Sequence, residues 1–326
     1  MLILSRADVE SLLDPRALID TMADAMVDLS AGRASVPNRI AAFVEPHHGL
    51  LAAMPAYAPA VGALAAKLVS VFPENAGTPL PSHQALIVVC DPATGRPDAV
   101  MDGTAITALR TGAGSALSVR VLARPDAAVL AILGTGVQAR SHAATVLLVR
   151  EFGDVRVAGR RREAVDELVQ ELVAQGVPAR GARSWEEALD GADVVCATTH
   201  SLQPVVRREW LEAGTHVTSV GLDPDGREVD DATVRDARVV VESRAAALAA
   251  PPAGSNDLFQ PIAAGLIDET EIAEIGEIVS GARDGRSSAE EITLYKSVGV
   301  GVQDAAAAAL VLAAARERGM GLEVEM

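Results

Sequence analysis

Six consecutive residues, Gly134-Thr135-Gly136-Val137-Gln138-Ala139, have the Gly-x-Gly-x-x-Ala spacing of a loop that cradles a dinucleotide pyrophosphate. The first glycine permits the tight turn, the second lets the backbone approach the phosphates, and the small third residue lets a helix lie close to the preceding strand. A helix that starts here turns its unsatisfied N–H groups toward negative charge. Alone the pattern is weak, but its setting supports it. The apolar run AAVLAILG precedes it, GTGVQARSHAATVLLVR opens as loop and helix, and a second strand, DVRVAGR, follows about twenty residues on. The end of that strand selects the cofactor, because Asp or Glu suits the ribose hydroxyls of NAD(H), whereas a small residue with Arg suits the 2′-phosphate of NADP(H). Here it reads Ala158-Gly159-Arg160-Arg161-Arg162, with no carboxylate before Glu163. Arg160, with Arg161 beside it, is the candidate for the 2′-phosphate, Arg162 reads as the start of a solvated helix, and NADPH is expected over NADH.

A second group of residues could hold a substrate. Arg39 in VPNRIAAF, Lys67 in GALAAKLVSVF and Arg110 in TAITALRTGAG stand among apolar or small neighbours. A cation in such a run is not buried unless it is paired. Each one alone is explained by a structural salt bridge; together, near a cofactor, they would hold a carboxylate, with Arg offering a bidentate fork. Asp223, in Val220-Gly221-Leu222-Asp223, could stabilise positive charge or relay a proton, or could simply close a turn in LDPDG. His83 alone reads as a hydrogen-bonded histidine at a loop–strand junction. Cys90 and Cys196 lie in ALIVVC and ADVVCA, where they read as small buried hydrophobes, and two isolated cysteines make neither a metal site nor a disulfide framework.

These groups need elements to position them. A chain of 326 residues exceeds one average domain, so two are expected. The apolar share of 49% is enough for a sizeable core, and the aromatic share of 2% means that Ala, Val, Leu and Ile must build it. A net charge of −16 repels nucleic acids and acidic membranes. The amino terminus lacks the pattern of a signal peptide and no apolar stretch of transmembrane length is free of charge, Gly or Pro, so a cytoplasmic location is expected. Ser5 to Leu29 reads as two helices, with Asp8 and Asp14 as N-caps and Pro15 in a first turn. From Arg39 to about Val100 the pieces IAAFV, GLLAAMPAY, ALAAKLVSVF and HQALIVVC, punctuated by Pro and Gly, read as an antiparallel or mixed sheet. Thr104 to Ala123 reads as a helix. From Ala127 strands and helices alternate, through RREAVDELVQELVAQG with Gly176 closing it, SWEEALDGA with Ser184 and Glu187 in capping-box spacing, and the strands DVVCATT, HVTSVG and ARVVVES. That alternation means a doubly wound parallel sheet. After Ser297 the chain becomes one long Ala-rich helix outside the alternation, expected to return to the first domain. The fold class expected is therefore α/β, a Rossmann domain of residues 123–296 inserted into an α+β domain made of 1–122 plus 297–326.

The run MPAYAPAVGALAAKLVSVFPENAGTPLPSHQALIVVCDPATGRPDAVMDGTAITALRTGAGSAL, with AILGTGVQARSH, VGLDPDGREVD and LYKSVGVGVQD, resembles the ornithine cyclodeaminase/mu-crystallin family. The resemblance extends from about Arg39 to Asp304. It implies a Rossmann domain inserted into a substrate-binding and dimerising domain, hence a homodimer. Arg39, Lys67 and Arg110 match the positions that bind the substrate carboxylate, and Ser82, His83, Arg110, Thr199, Val220 and Ser297 match cofactor-contacting positions, beside Gly134 to Gln138 and Gly159 to Arg161. Asp223 matches the catalytic aspartate of cyclodeaminases, so Asp223 and Lys67 are the candidate catalytic groups. Cyclodeaminases also place a Glu two residues before a Met-Pro pair; Ala52-Ala53 precede Met54-Pro55 here, and the segment resembles the mu-crystallin, ketimine-reductase and alanine-dehydrogenase side. An imine reductase needs a carboxylate clamp, a hydride donor over the C=N carbon and a group that stabilises the iminium. The resemblance thus implies an NAD(P)H-dependent reductase of a small 2-imino acid, such as a cyclic ketimine. A lyase of the ornithine cyclodeaminase type and an NADPH-binding protein without turnover stand as alternatives.

Overall fold

Ser5, not Asp8, caps the first helix, Arg6–Leu12. The Ser5 side chain accepts the Asp8 N–H while the Asp8 carboxylate takes the Ser5 N–H, a reciprocal box that puts Asp8 one turn inside the helix. Asp14 does cap the second helix, Pro15–Ser30, with Pro15 in its first turn. The computed structural model describes residues 1–75 and 77–325, and the chain divides into two compact units, Met1–Arg110 with Val300–Met326, and Thr111–Gly299.

The first unit is built on a mixed sheet ordered Leu322–Glu323, Leu2–Leu4, Pro97–Asp102, His83–Cys90, Ala63–Val71, Gly49–Ala58, Ile40–Val44. All neighbours are antiparallel except Leu2–Leu4 against Pro97–Asp102. Strand alternation sorts its faces: along Gly49–Ala58, Ala52, Met54, Ala56 and Ala58 are buried while Leu51, Pro55 and Tyr57 point to the other side. The Ala-rich helix Gly301–Arg318 covers the buried face, and Ala305 to Ala308 are fully buried. Small side chains are what let it come so close; a Cβ on Gly301 would stand 3.1 Å from the Met54 carbonyl oxygen. Cys196 is buried as expected, but Cys90, at a shift of register beside Val89, is only half-buried.

The second unit carries an eight-stranded sheet, parallel throughout, ordered Ala273–Glu274, Arg238–Val241, Thr293–Lys296, His216–Ser219, Val194–Ala197, Val129–Leu133, Asp154–Ala158, Ala179–Gly181. The chain starts at Val129–Leu133, winds outward through Asp154–Ala158, and then returns to Val194–Ala197 on the other flank. Between those two central strands lies the switch point at which doubly wound sheets bind ligands, beyond the carboxyl ends. Thr293–Lys296 is inserted between His216–Ser219 and Arg238–Val241 and was not legible as a strand, being four residues that end in a lysine.

The division between the units falls inside the helix Gly103–Leu122, rather than after residue 122, and at 299/300 rather than 296/297. Side-chain partners account for this. Arg110 bonds to Gln303 and Asp304, whereas Ser115 bonds to His142 and Thr218, Ser118 bonds to His216, and the Val298 and Gly299 N–H groups are held by Glu242. Both histidines are fully buried and held neutral: burial pushes His142 down to about 4, against the Gln138 carbonyl, and burial with the nearby Arg286 charge pushes His216 to about 3. Among the described residues no helix is long and apolar enough to cross a membrane.

Candidate active site

Lys67 stands in the middle of the strand Ala63–Val71 on its buried face, 3% exposed, so its charge must be matched within the unit. The match is Asp304, in the first turn of the helix Gly301–Arg318, whose Oδ2 lies 2.7 Å from Lys67 Nζ. Arg110 reaches the same carboxylate from the helix Gly103–Leu122: Nε donates to Asp304 Oδ1 at 3.0 Å and Nη1 to Gln303 Oε1 at 3.0 Å. Thr107 Oγ1 lies 3.5 Å from Lys67 Nζ. Burial is the main force on the Lys67 ammonium and lowers its pKa to about 8, Asp304 opposing and the charges of Arg110 and Arg39 adding to the fall. Arg39 is half-buried in the segment leading into Ile40–Val44, close enough to act on Lys67 by charge. Three of the expected clamp residues thus converge electrostatically, and Asp304 is the group that sequence reasoning missed. Its signal was present: it is the only charge in SVGVGVQDAAAAALVLAAA. Ser82 immediately precedes the strand His83–Cys90, which the exposed His83 begins, and the His83–Val71 pair is four residues along the ladder from the Lys67–Ile87 pair.

In the second unit the phosphate loop has the backbone that its glycines predict. Gly134 has φ +116, and a Cβ there would lie 2.6 Å from Thr198 Oγ1. Gly136 caps the helix Val137–Val146, and a Cβ on it would meet nothing within 4 Å, so its backbone is open to approach. The Thr135 carbonyl accepts from Arg140, Ala139 is fully buried against the sheet, and the Gln138 carbonyl bonds to His142 Nδ1 at 2.7 Å. A Cβ on Gly159 would lie 2.8 Å from the Thr135 methyl, so this position needs glycine for closeness rather than for φ. Arg160 and Arg161 are exposed and, among the described residues, enter no ion pair, while Arg162 is paired with Asp166 at 2.9 Å. This arrangement fits a dinucleotide: open glycine backbone at a helix N-terminus for the pyrophosphate, and two uncommitted guanidinium groups at the end of the next strand.

Thr199, Val220 and Ser297 follow the carboxyl ends of three adjacent strands, Val194–Ala197, His216–Ser219 and Thr293–Lys296. Asp223 lies in the loop after the second of these, half-buried, with one oxygen accepting the Asp225 N–H at 2.9 Å. The turn-closing role is therefore real, and it occupies Oδ1. Beneath the loop is a carboxylate that the sequence did not single out. Glu228 sits in the charged run DPDGREVDD and reads as solvated there, yet it is 1% exposed and accepts hydrogen bonds from Thr199, Ser219 and Gly221. Among the described residues no group of three or more His, Cys, Asp or Glu side chains is placed to hold a metal ion.

Comparison with known proteins places this geometry in a family. Residues 1–319 match the family model described as the ornithine cyclodeaminase/mu-crystallin family. The mouse (Mus musculus) ketimine reductase mu-crystallin is 40% identical over 273 residues, which is 83% of this chain and 82% of the relative. The solved structure of Thermococcus litoralis Delta(1)-pyrroline-2-carboxylate reductase, in complex with NADH and L-proline, has a TM-score of 0.94 at 40% identity, covering 99% of this chain and 100% of its own. An archaeal alanine dehydrogenase dimer with bound NAD has a TM-score of 0.93 at 33% identity, covering 100% of this chain and 99% of its own. The chain belongs to the ornithine cyclodeaminase/mu-crystallin family.

Proposed function

We propose that the protein is an NAD(P)H-dependent reductase of a small 2-imino acid, with a cyclic ketimine such as pyrroline- or piperideine-2-carboxylate as the best-suited substrate. The observation that carries this reading is the charge balance around Asp304. Lys67 and Arg110 share one carboxylate, so their buried cluster keeps one positive charge in excess. A purely structural pair would balance; a surplus cation held in place is a receptor for a carboxylate. In this reading Arg110 and Lys67, with Arg39, bind the carboxylate of the imino acid and fix the C=N carbon relative to it. Asp223 stabilises the protonated imine nitrogen with the oxygen that the turn does not use. The reduced nicotinamide, when bound, supplies the hydride. Gly134 to Gln138 and Gly159 would hold its pyrophosphate end, and Ser82, His83, Thr199, Val220 and Ser297 would contact the rest. The lyase alternative is disfavoured by Ala52, a buried methyl at the position where cyclodeaminases place a glutamate.

Relatives are known with NADH and with NAD, so the coenzyme is NAD(P)H in the broad sense, and the preference for NADPH rests on Arg160 and Arg161. A homodimer is supported by the uncovered face of the first unit's sheet. Ile40, Ala53, Leu68 and Leu86 form one row across four strands, and Ile40 is 71% and Leu86 52% exposed. Leu51, at 49%, stands on the same face, a contiguous apolar patch of the kind that monomers seldom leave in water. Light scattering at micromolar concentration is expected to read twice the 33.6 kDa chain mass, and a monomer would refute the dimer.

Incubation with NADPH and either cyclic imine is expected to bleach the nicotinamide absorbance, faster than with NADH at equal concentration. Arg160→Ala should narrow that gap by about 1.5–3 kcal/mol, the worth of a hydrogen bond to a charged group. Ammonia release from L-ornithine or L-lysine without net cofactor use would instead establish the lyase, and silence toward every imino acid would refute the reductase.

The pH dependence follows from Lys67. Its ammonium is needed to hold the carboxylate, and it loses its proton through about pH 8, so kcat/KM should fall above that value. The sign separates this from unfolding. The unfolded lysine keeps its proton to its ordinary pKa of 10.5, so between these values the unfolded chain binds more protons and folding gains stability as pH rises. In Lys67→Arg the alkaline limb should vanish, because a guanidinium does not titrate there. An unchanged limb in that variant would rule Lys67 out as its source.

A further inference from the structure

The second unit holds a buried charged network that the reaction as described does not employ. Both oxygens of Glu228 are filled: Oε1 accepts the Thr199 N–H at 2.5 Å and its hydroxyl at 2.7 Å, and Oε2 accepts the Ser219 hydroxyl at 2.8 Å and the Gly221 N–H at 2.7 Å. Lys296, fully buried, donates to Ser219 Oγ at 3.0 Å and to the Gly221 carbonyl at 2.6 Å, and lies 2.7 Å from Asp257 Oδ2. Burial alone would raise the Asp257 pKa, but the Lys296 ammonium, the Val229 N–H and the Ser255 hydroxyl hold it below its ordinary value, and the Glu228 N–H also donates to Oδ1 at 2.7 Å. Asn256 donates to the carbonyls of Pro224, at 2.7 Å, and Gly226, at 3.3 Å, and the Arg227 N–H is held by the Ser201 carbonyl at 3.0 Å. A side chain on Gly221 would collide with the Thr199 carbonyl and the Glu228 carboxylate, and one on Gly226 with the Ser201 carbonyl, so the segment 220–229 has no slack on this side.

Stability does not by itself account for such a network, since a buried ion pair is often matched or bettered by well-packed apolar residues. What it touches is more informative. Glu228 holds Thr199 directly and Gly221 next to Val220; Lys296 precedes Ser297, whose N–H is bound by the Ser219 carbonyl at 3.0 Å. Asp223 sits in the middle of the pinned segment. We propose that Glu228, backed by Lys296 and Asp257, is a positioning residue that fixes Asp223 and the ends of three strands as one rigid platform for the reaction. This rests on the reading of Asp223 as the group at the reacting nitrogen.

Glu228→Gln keeps the shape but puts donors where donors already point. It is expected to lower kcat about tenfold or more, the worth of one hydrogen bond to a charged group, with KM for the imine little changed. In a double-mutant cycle with Asp223→Asn the second loss should nearly disappear, because Glu228 acts through Asp223. Equal losses in both backgrounds, or a lower melting temperature with kcat intact, would overturn the proposal. Hydrogen exchange gives a readout independent of turnover. The Thr199 and Gly221 amides should exchange at least tenfold faster in Glu228→Gln while amides of the strand Val129–Leu133 keep their rates, and unchanged exchange at both would also overturn it. If the wild-type protein reduced no imine, the functional reading would fall while this arm still decided whether the platform exists. If Glu228→Gln did not fold, Ser219→Ala, which removes one donor to Glu228 and one acceptor of Lys296, would carry the same tests.

Discussion

Asp304 is the group on which the first unit depends. One carboxylate, 1% exposed, meets a lysine from a strand and an arginine from a helix, and it belongs to a third element that starts two hundred residues later in the chain. The carboxylate is the indispensable member: without it two buried cations would face each other uncompensated, a loss that costs about 3–5 kcal/mol. The Ala-rich character of Gly301–Arg318 follows from this requirement: the helix must approach the sheet closely enough for a short Asp side chain to reach Lys67. In the proposed function the surplus positive charge that remains is the part that holds the substrate carboxylate.

The second unit solves a different problem with the same means. A parallel sheet offers a binding crevice at the carboxyl ends of its strands, but the loops there are free unless something ties them down. Glycine closeness ties the first loop, at Gly134 and Gly159. Buried charge ties the loops after the neighbouring strands, through Glu228, Lys296 and Asp257. In the proposed function cofactor recognition is thus mostly a matter of backbone shape, and reaction chemistry a matter of where a few carboxylates are held.

What the sequence disclosed and what it concealed have physical causes. The phosphate loop was legible because its demands are local: positive φ at Gly134, open space at Gly136 and a small residue at Ala139 are each set by one residue type. Lys67 and Arg110 stood out because a cation in an apolar run calls for a partner. The partner itself is a long-range fact, 194 residues from Arg110, and no periodicity points to it. Glu228 was hidden among five other charges between Asp223 and Asp231, where burial depends on how the loop folds over Ser219. Ser5 and Asp8 are both good caps, so only geometry could choose between them. The strands Thr293–Lys296 and Leu2–Leu4 are too short to show a period and form because longer neighbours offer them an edge.

The central claim is that the Asp304-centred cluster is a carboxylate receptor, and a neutral analogue tests it without altering the protein. The measurement is kcat/KM for the imino acid and for its carboxamide, which has the same ring and C=N bond but no negative charge. The account predicts that the carboxamide is poorer by about a hundredfold or more, as the loss of a charge-assisted hydrogen bond requires, and that Arg110→Ala erases most of the difference by weakening the carboxylate alone. Equal kcat/KM for the two compounds in the wild-type protein would contradict it.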